Sequence, residues 1–200
     1  MRAWVVGVFM SMSNGLARAA PALVTGALLS ACASTTVTVE PAAVEPLCDP
    51  SATAVVLWAT RWRVDQKDVA ARESAAATGL SDFFSDGACF AQAQIGRVDA
   101  LPASSVPNLR GARLIGIEVQ ELGPTVKLLS SAALVEGGTE VVFRAVRYPT
   151  RLQAEPQSVT VHWRHGGPGV VKGVASLPHD LRAALQAGLA TGAHAAAPKR

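Results

Sequence analysis

The sequence predicts an α+β domain: a single antiparallel or mixed sheet of about five to six strands with two helices packed on one face. Three observations predict it. A β-branched and aromatic run at residues 55–64 passes directly into a helical apolar stripe at 69–84. Further segments of alternating apolar and polar residues follow, divided by clusters of Gly, Pro, Ser and Asn. A second stripe of Leu181, Leu185 and Leu189 at helical spacing closes the pattern.

In the first strand, residues 55–64, Trp58, Thr60, Trp62 and Val64 share one face, and Val55, Leu57, Arg61 and Arg63 share the other. Asp65 is positioned to cap the helix that follows, with Asp68 adding an acid to its first turn. Val69, Ala76, Leu80, Phe83 and Phe84 form its stripe, Gly79 weakens it, and Ser85-Asp86-Gly87 ends it. Residues 91–98 read as a second strand. The intervening helix makes a crossover possible, so these two strands can be parallel neighbours. Residues 102–111 read as a loop. Ile115, Ile117 and Val119 alternate along a third strand at 113–122. Gly123-Pro124 is expected to bend the chain before a hairpin of 125–135 and 139–148 that turns at Glu136-Gly137-Gly138. A second hairpin, 158–165 and 170–174, is expected to turn at residues 166–169. Ser176-Leu177-Pro178 then opens the last helix, proline being tolerated in a first turn, and residues 191–200 read as a disordered tail.

The amino-terminal segment carries only Arg2 and Arg18 as charges before Cys32. Residues 19–29 are apolar apart from Thr25, and about eleven residues fall short of the roughly 20 that cross a bilayer. With Leu29-Ser30-Ala31-Cys32 behind that run, the segment resembles a bacterial lipoprotein precursor with its lipobox. The resemblance implies that residues 1–31 are a signal peptide and that Cys32 becomes the mature, lipidated amino terminus. Ala33, rather than an aspartate, implies sorting to the outer membrane, with the protein on its periplasmic face. Stable anchoring takes two signals or chains, and a triacylated cysteine supplies them. Residues 13–18 make an ordinary positive n-region, so translation is expected to start at Met12. Residues 32–50, rich in Ala, Ser, Thr, Val and Pro, read as a lipidated tether, and 51–190 as the single folded domain.

That assignment reorders the composition. Of 200 residues with a formal charge of +3, the mature chain keeps 169 and, without Arg2 and Arg18, a charge of +1. No concentrated basic face is left to act as a nucleic-acid footprint. Three cysteines become one lipid acceptor and a pair, Cys48 and Cys89. In an oxidising compartment that pair is expected to form a disulfide worth roughly 3–4 kcal/mol on a loop-entropy model. The alternative is two buried thiols packed as small apolar side chains.

The chemistry-bearing residues do not assemble into a catalytic pattern. His162 and His165 stand three apart in a strand and so point to opposite faces, which cannot converge on one ion. Gly167-Pro168-Gly169 with Lys172 departs from a phosphate loop in spacing and in the residue after the lysine. No nucleophile-elbow motif is present. Asp65, Asp68, Glu73 and Asp82 fit caps and a solvated helix face better than an acid–base pair. No catalytic residue, metal ligand or cofactor site is therefore assigned. Arg61-Trp62-Arg63, with Trp58 and Trp163, is the candidate partner-binding surface, because aromatics and arginine dominate interface hot spots. Equally, Trp58 and Trp62 can be core residues flanked by arginines that reach water.

In element order, residues 51–190 resemble periplasmic domains of the curli-secretion lipoprotein type, the Tol-propeller amino-terminal type and the ABC-transport auxiliary lipoproteins. The resemblance implies a membrane-anchored, noncatalytic accessory domain of an envelope assembly or transport complex, with an envelope protein as partner. It carries over no functional residue. A small-molecule or lipid-binding protein using the sheet face away from the helices is the second reading, and an enzyme of unrecognised type the third.

Overall fold

The computed structural model describes residues 33–42, 45–104, 109, 111–129, 134–149 and 155–190. Residues 1–31, expected to be a signal peptide, Cys32, the expected lipid acceptor, and residues 191–200, expected to be a disordered tail, lie outside the described residues. Six strands form one mixed sheet: β1 (Ser34–Glu40), β2 (Asp49–Thr60), β3 (Phe90–Arg97), β4 (Arg113–Leu129), β5 (Leu134–Tyr148) and β6 (Gln157–Pro168). Their order is β1-β6-β5-β4-β2-β3. β2 runs parallel to both β3 and β4, and the other pairs are antiparallel. The α+β class, the single sheet and the parallel pairing across the first helix all match the sequence reading.

Two helices, α1 (Val69–Ser85) and α2 (Leu177–Leu185), pack on one face, and a π-helical turn (Gln186–Ala190) continues α2. Helix α1 buries Arg72, Ala75, Ala76, Leu80, Phe83 and Phe84, a stripe at i, i+3, i+4 spacing. It meets Val56 and Trp58 of β2, Ile115 and Ile117 of β4 and Phe143 of β5 in one core. Leu181, Leu185 and Leu189 complete that core, as their spacing predicts. The opposite sheet face carries a smaller cluster in which Leu101 and Leu109 cover Leu114, Val146 and Tyr148. The Tyr148 hydroxyl donates to the Pro102 carbonyl at 2.7 Å, and burial pushes that phenol above its ordinary value.

The disulfide is present: Cys48 and Cys89 are bonded, with Cα atoms 4.5 Å apart. They precede Asp49 and Phe90, which face each other at the start of β2 and β3. The bridge therefore staples two parallel neighbours where they enter the sheet.

Four local expectations are corrected. The stretch read as tether contains β1, whose Thr-Val alternation pairs with β6 from Ser34↔Gly166 to Glu40↔Thr160; the sheet thus begins well before Ser51, and β2 itself begins at Asp49. Gly123-Pro124 does not end a strand, because β4 runs through it. A proline is tolerated there since β2 stops at Thr60, opposite Val119, and leaves the outer half of β4 without a neighbour on that side. Neither Gly137-Gly138 nor Gly166-Gly167 is a turn. They lie side by side in β5 and β6, paired Gly137↔Gly167 and Gly138↔Gly166, and a β-carbon on Gly138 would come within 2.6 Å of the His165 carbonyl oxygen. Glycine marks a close approach of two strands at this point, and no second hairpin forms. Finally, Asp65 lies in a turn closed by Gln66 N–H on the Arg63 carbonyl, and α1 starts at Val69 after a left-handed Asp68 that makes no side-chain cap.

Candidate functional site

Arg61, Trp62 and Arg63 leave the end of β2, where the Arg61 amide adds one last bond to the Val119 carbonyl at 2.8 Å. Beside them, β4 carries a bulge between Val119 and Glu121, so that Gln120 has no register partner. The bulge and the end of β2 together open a groove of about 450 Å³ lined by Arg61, Trp62, Arg63, Gln120, Glu121 and Val142. The three residues singled out from the sequence thus converge on one concavity.

Trp62 combines the two roles weighed for it. It is half-buried and packs against the main core, yet it forms a groove wall. Its indole Nε1 is buried beside the Glu73 carboxylate without reaching hydrogen-bond geometry. Trp58 and Trp163 are core residues, and Trp58 also carries the Arg97 guanidinium 5.3 Å above its ring.

Polar contacts fix the groove from behind. Glu73 on α1 accepts from Arg97 at 2.8 Å and from the Thr60 hydroxyl at 3.2 Å. The Arg97 hydrogen bond, helped by Thr60, holds the Glu73 carboxyl below the ordinary range despite partial burial. Glu121 pairs with Arg72 at 3.2 Å and with Arg63 at 3.5 Å. The Gln66 amide places its nitrogen on Glu121 and its oxygen on Arg72. Arg61 is exposed and has no acidic partner among the described residues. The result is an aromatic wall with one uncommitted cation on its rim, an arrangement suited to an anionic or hydrogen-bonding partner group.

Sequence reasoning missed Arg72 and the Gln120 bulge, and placed Glu73 on a solvated helix face rather than behind the groove. Only the bulge left a signal: the alternation of Ile115, Ile117 and Val119 breaks at Gln120-Glu121 and resumes, one residue out of phase, at Leu122.

Other candidates resolve into structure. His165 stacks on Trp163 with centroids 5.8 Å apart and bonds Thr35 at 2.8 Å, whereas His162 is exposed. Lys172 is committed to Asp180 at 3.0 Å. Among the described residues no three His, Cys, Asp or Glu side chains gather as metal ligands would. A second concavity of about 580 Å³ lies by Asp49, Ser51, Thr53 and Arg113. There the Ser51 hydroxyl and amide, with Arg113, hold the Asp49 carboxyl low. The sheet face away from the helices is covered at one end by Leu101 and Leu109, and elsewhere presents polar Arg144, Thr160 and His162.

No protein-family model and no curated protein sequence matches the chain. Among solved structures it is similar to a PelC dodecamer from Paraburkholderia phytofirmans, at 12% identity and a TM-score of 0.41, covering 76% of this chain and 95% of that one. A point variant of the same PelC gives 12% identity, a TM-score of 0.40 and the same coverage. A neuraminyllactose-binding hemagglutinin homolog from Helicobacter pylori is similar at 10% identity and a TM-score of 0.36, covering 71% of this chain and 84% of that one. Likeness of this degree assigns neither activity nor assembly.

Proposed function

We propose that this chain is a lipid-anchored accessory domain of the bacterial envelope, held by Cys32 at the periplasmic face of the outer membrane, that acts by binding a partner protein rather than by catalysis. The observation that carries the binding role is the open groove at Trp62, with the unpaired Arg61 on its rim. A folded aromatic that packs against the core and is still half-exposed offers contact area at low entropic cost, and arginine beside it supplies direction. The partner surface is expected to be acidic or rich in hydrogen-bond acceptors, since the cation on the rim has no internal counter-charge. Lipidation is supported by the lipobox Leu29-Ser30-Ala31-Cys32.

Two measurements in intact cells test the reading. Metabolic labelling with a tagged fatty acid should mark the chain, and Cys32→Ser should abolish the mark; an unmarked wild-type chain rejects the anchor. A photo-crosslinking amino acid at position 61 should give one discrete envelope-protein adduct that the same probe at Ser81, exposed on α1, does not give. Equal adducts at both positions, or none at 61, reject the groove as the binding site.

A further inference from the structure

One end of the sheet gathers features that the Trp62 groove does not use. Ser34, Gly166 and Gly138 lie in one row across β1, β6 and β5, with Thr125 of β4 beside them. Past that row β6 adds only Gly167 and Pro168, opposite Gly137 and Glu136, and the two long strands go further. β5 extends four residues further, from Gly137 to Leu134, and its last pairs with β4 are Val135↔Leu128 and Leu134↔Leu129. At about 3.3 Å per residue this overhang measures roughly 13 Å.

Cys32 stands two residues before Ser34. Two residues of extended chain span at most about 7 Å. Whatever path residues 32 and 33 take, the ends of β4 and β5 therefore reach roughly 6 Å or more beyond the cysteine along the strand direction. A domain held by acyl chains on Cys32 cannot keep this end of its sheet clear of the bilayer while its strands point toward it.

The surface at this end suits that placement. β6 finishes at Pro168, and the chain crosses to α2 through Gly169–Ser176, with Val170 bonded back to Gly167. In that crossing Val171 is 92% exposed and Val174 39% exposed, two of the few large apolar side chains on the described surface. Lys172 between them is turned inward onto Asp180, so no charge of the crossing itself needs to stay hydrated. An apolar side chain next to an acylated residue gains about the same free energy per buried carbon as the acyl chain does.

We infer that the end of the sheet formed by Ser34, the Val171 crossing and the overhanging β4–β5 strands rests in the headgroup region of the bilayer that carries the lipid. The inference rests on the lipidation of Cys32 proposed above. It fixes an orientation: the Trp62 groove, level with Val119–Glu121 and so with Val142 and Phe143 of β5, lies roughly 13–17 Å above the row of Ser34.

The test uses the full chain, lipidated in cells and reconstituted into vesicles of phosphatidylethanolamine and phosphatidylglycerol with brominated acyl chains. A tryptophan is added by Val171→Trp, or by Ala91→Trp at the exposed start of β3 on the opposite end of the sheet. After subtraction of the native tryptophans, bromine should quench the residue at 171 at least about twofold more strongly than that at 91, as expected for burial some 5–10 Å into the interface. Equal quenching at the two positions, or stronger quenching at 91, on a chain whose mass shows the lipid overturns this orientation and leaves the anchor intact. A chain that incorporates into vesicles without lipid on Cys32 overturns both.

Discussion

The Arg72 guanidinium occupies the space that a β-carbon on Gly123 would fill. From there it donates to the carbonyls of Leu122 and Lys67 and pairs with Glu121. β2 ends opposite Val119, so the Leu122 carbonyl lacks a strand partner on that side. A side chain from α1 thus closes the gap in the sheet, and it is buried to 8% exposure in doing so.

Gly123→Ala is therefore expected to push the guanidinium off its acceptors and to lower stability by about 1.5–3 kcal/mol, the scale of a charged hydrogen bond lost from a buried site. Urea denaturation measures it. The effect should be coupled: in an Arg72→Met background the same Gly123→Ala change should cost less than about 0.5 kcal/mol. Additive losses in the double variant would show that Gly123 matters for another reason.

Glu73→Gln tests the brace behind Trp62. Because Arg97 and Thr60 hold the Glu73 carboxyl low in the folded state, its ionised form stabilises the fold above the ordinary glutamate range of about 4.3, and that contribution is lost as pH falls through the depressed value. Wild type should be more stable than Glu73→Gln at pH 7 by about 1 kcal/mol, the upper end for a partly exposed pair. The gap should close as the pH is lowered from about 4.3. A gap that is flat down to pH 2 would remove Glu73 from the ionic brace.

How much of this was legible in the sequence depended on whether the cause was local. The α1 stripe around Leu80 and Phe83 and the α2 stripe around Leu181 could be read directly, since helical spacing is set by the segment itself. Arg61-Trp62-Arg63 stood out for the same reason. Gly123-Pro124, Gly137-Gly138 and Gly166-Gly167 carry turn signals in the sequence because the residues that punctuate turns also serve strand edges and close strand approaches, and only the neighbouring strand decides which. β1 reads as tether in the sequence because a short Thr-Val run has the same composition in an extended linker and in an edge strand. Arg72 and Glu73 could not be assigned to the site at all. Glu73 fits a solvated helix face and Arg72 carries no signal of its own; the topology brings Arg72 to Glu121 and Glu73 to Arg97.

Removing the disulfide should cost more than any single contact above. A closed loop of 41 residues corresponds to about 4 kcal/mol on the loop-entropy model. Cys48→Ser with Cys89→Ser is expected to lower the urea midpoint accordingly, and reductant should do the same to wild type but not to the double variant. A midpoint unmoved by reductant would mean that the bridge contributes nothing to the folded state.

Asp180 carries the sharpest expectation away from the groove. Only 2% exposed, in the first turn of α2, it accepts from Thr139 of β5 at 2.6 Å, from Ser176 at 3.0 Å and from Lys172 at 3.0 Å. One carboxylate thereby ties the sheet, the crossing from β6 and the start of the helix. Asp180→Asn would leave the Lys172 ammonium, whose side chain is 19% exposed, without a counter-charge and would set an amide donor either against that ammonium or in place of the oxygen that accepts from Thr139 and Ser176. The expected loss is about 2–3 kcal/mol, below that of a fully buried pair because Lys172 can still reach water. Adding Lys172→Met should restore part of it, since the stranded charge goes too. If the double variant is instead less stable than Asp180→Asn by the full cost of a second lost contact, the pair is not what holds the crossing, and the Thr139 and Ser176 hydroxyls must carry it alone.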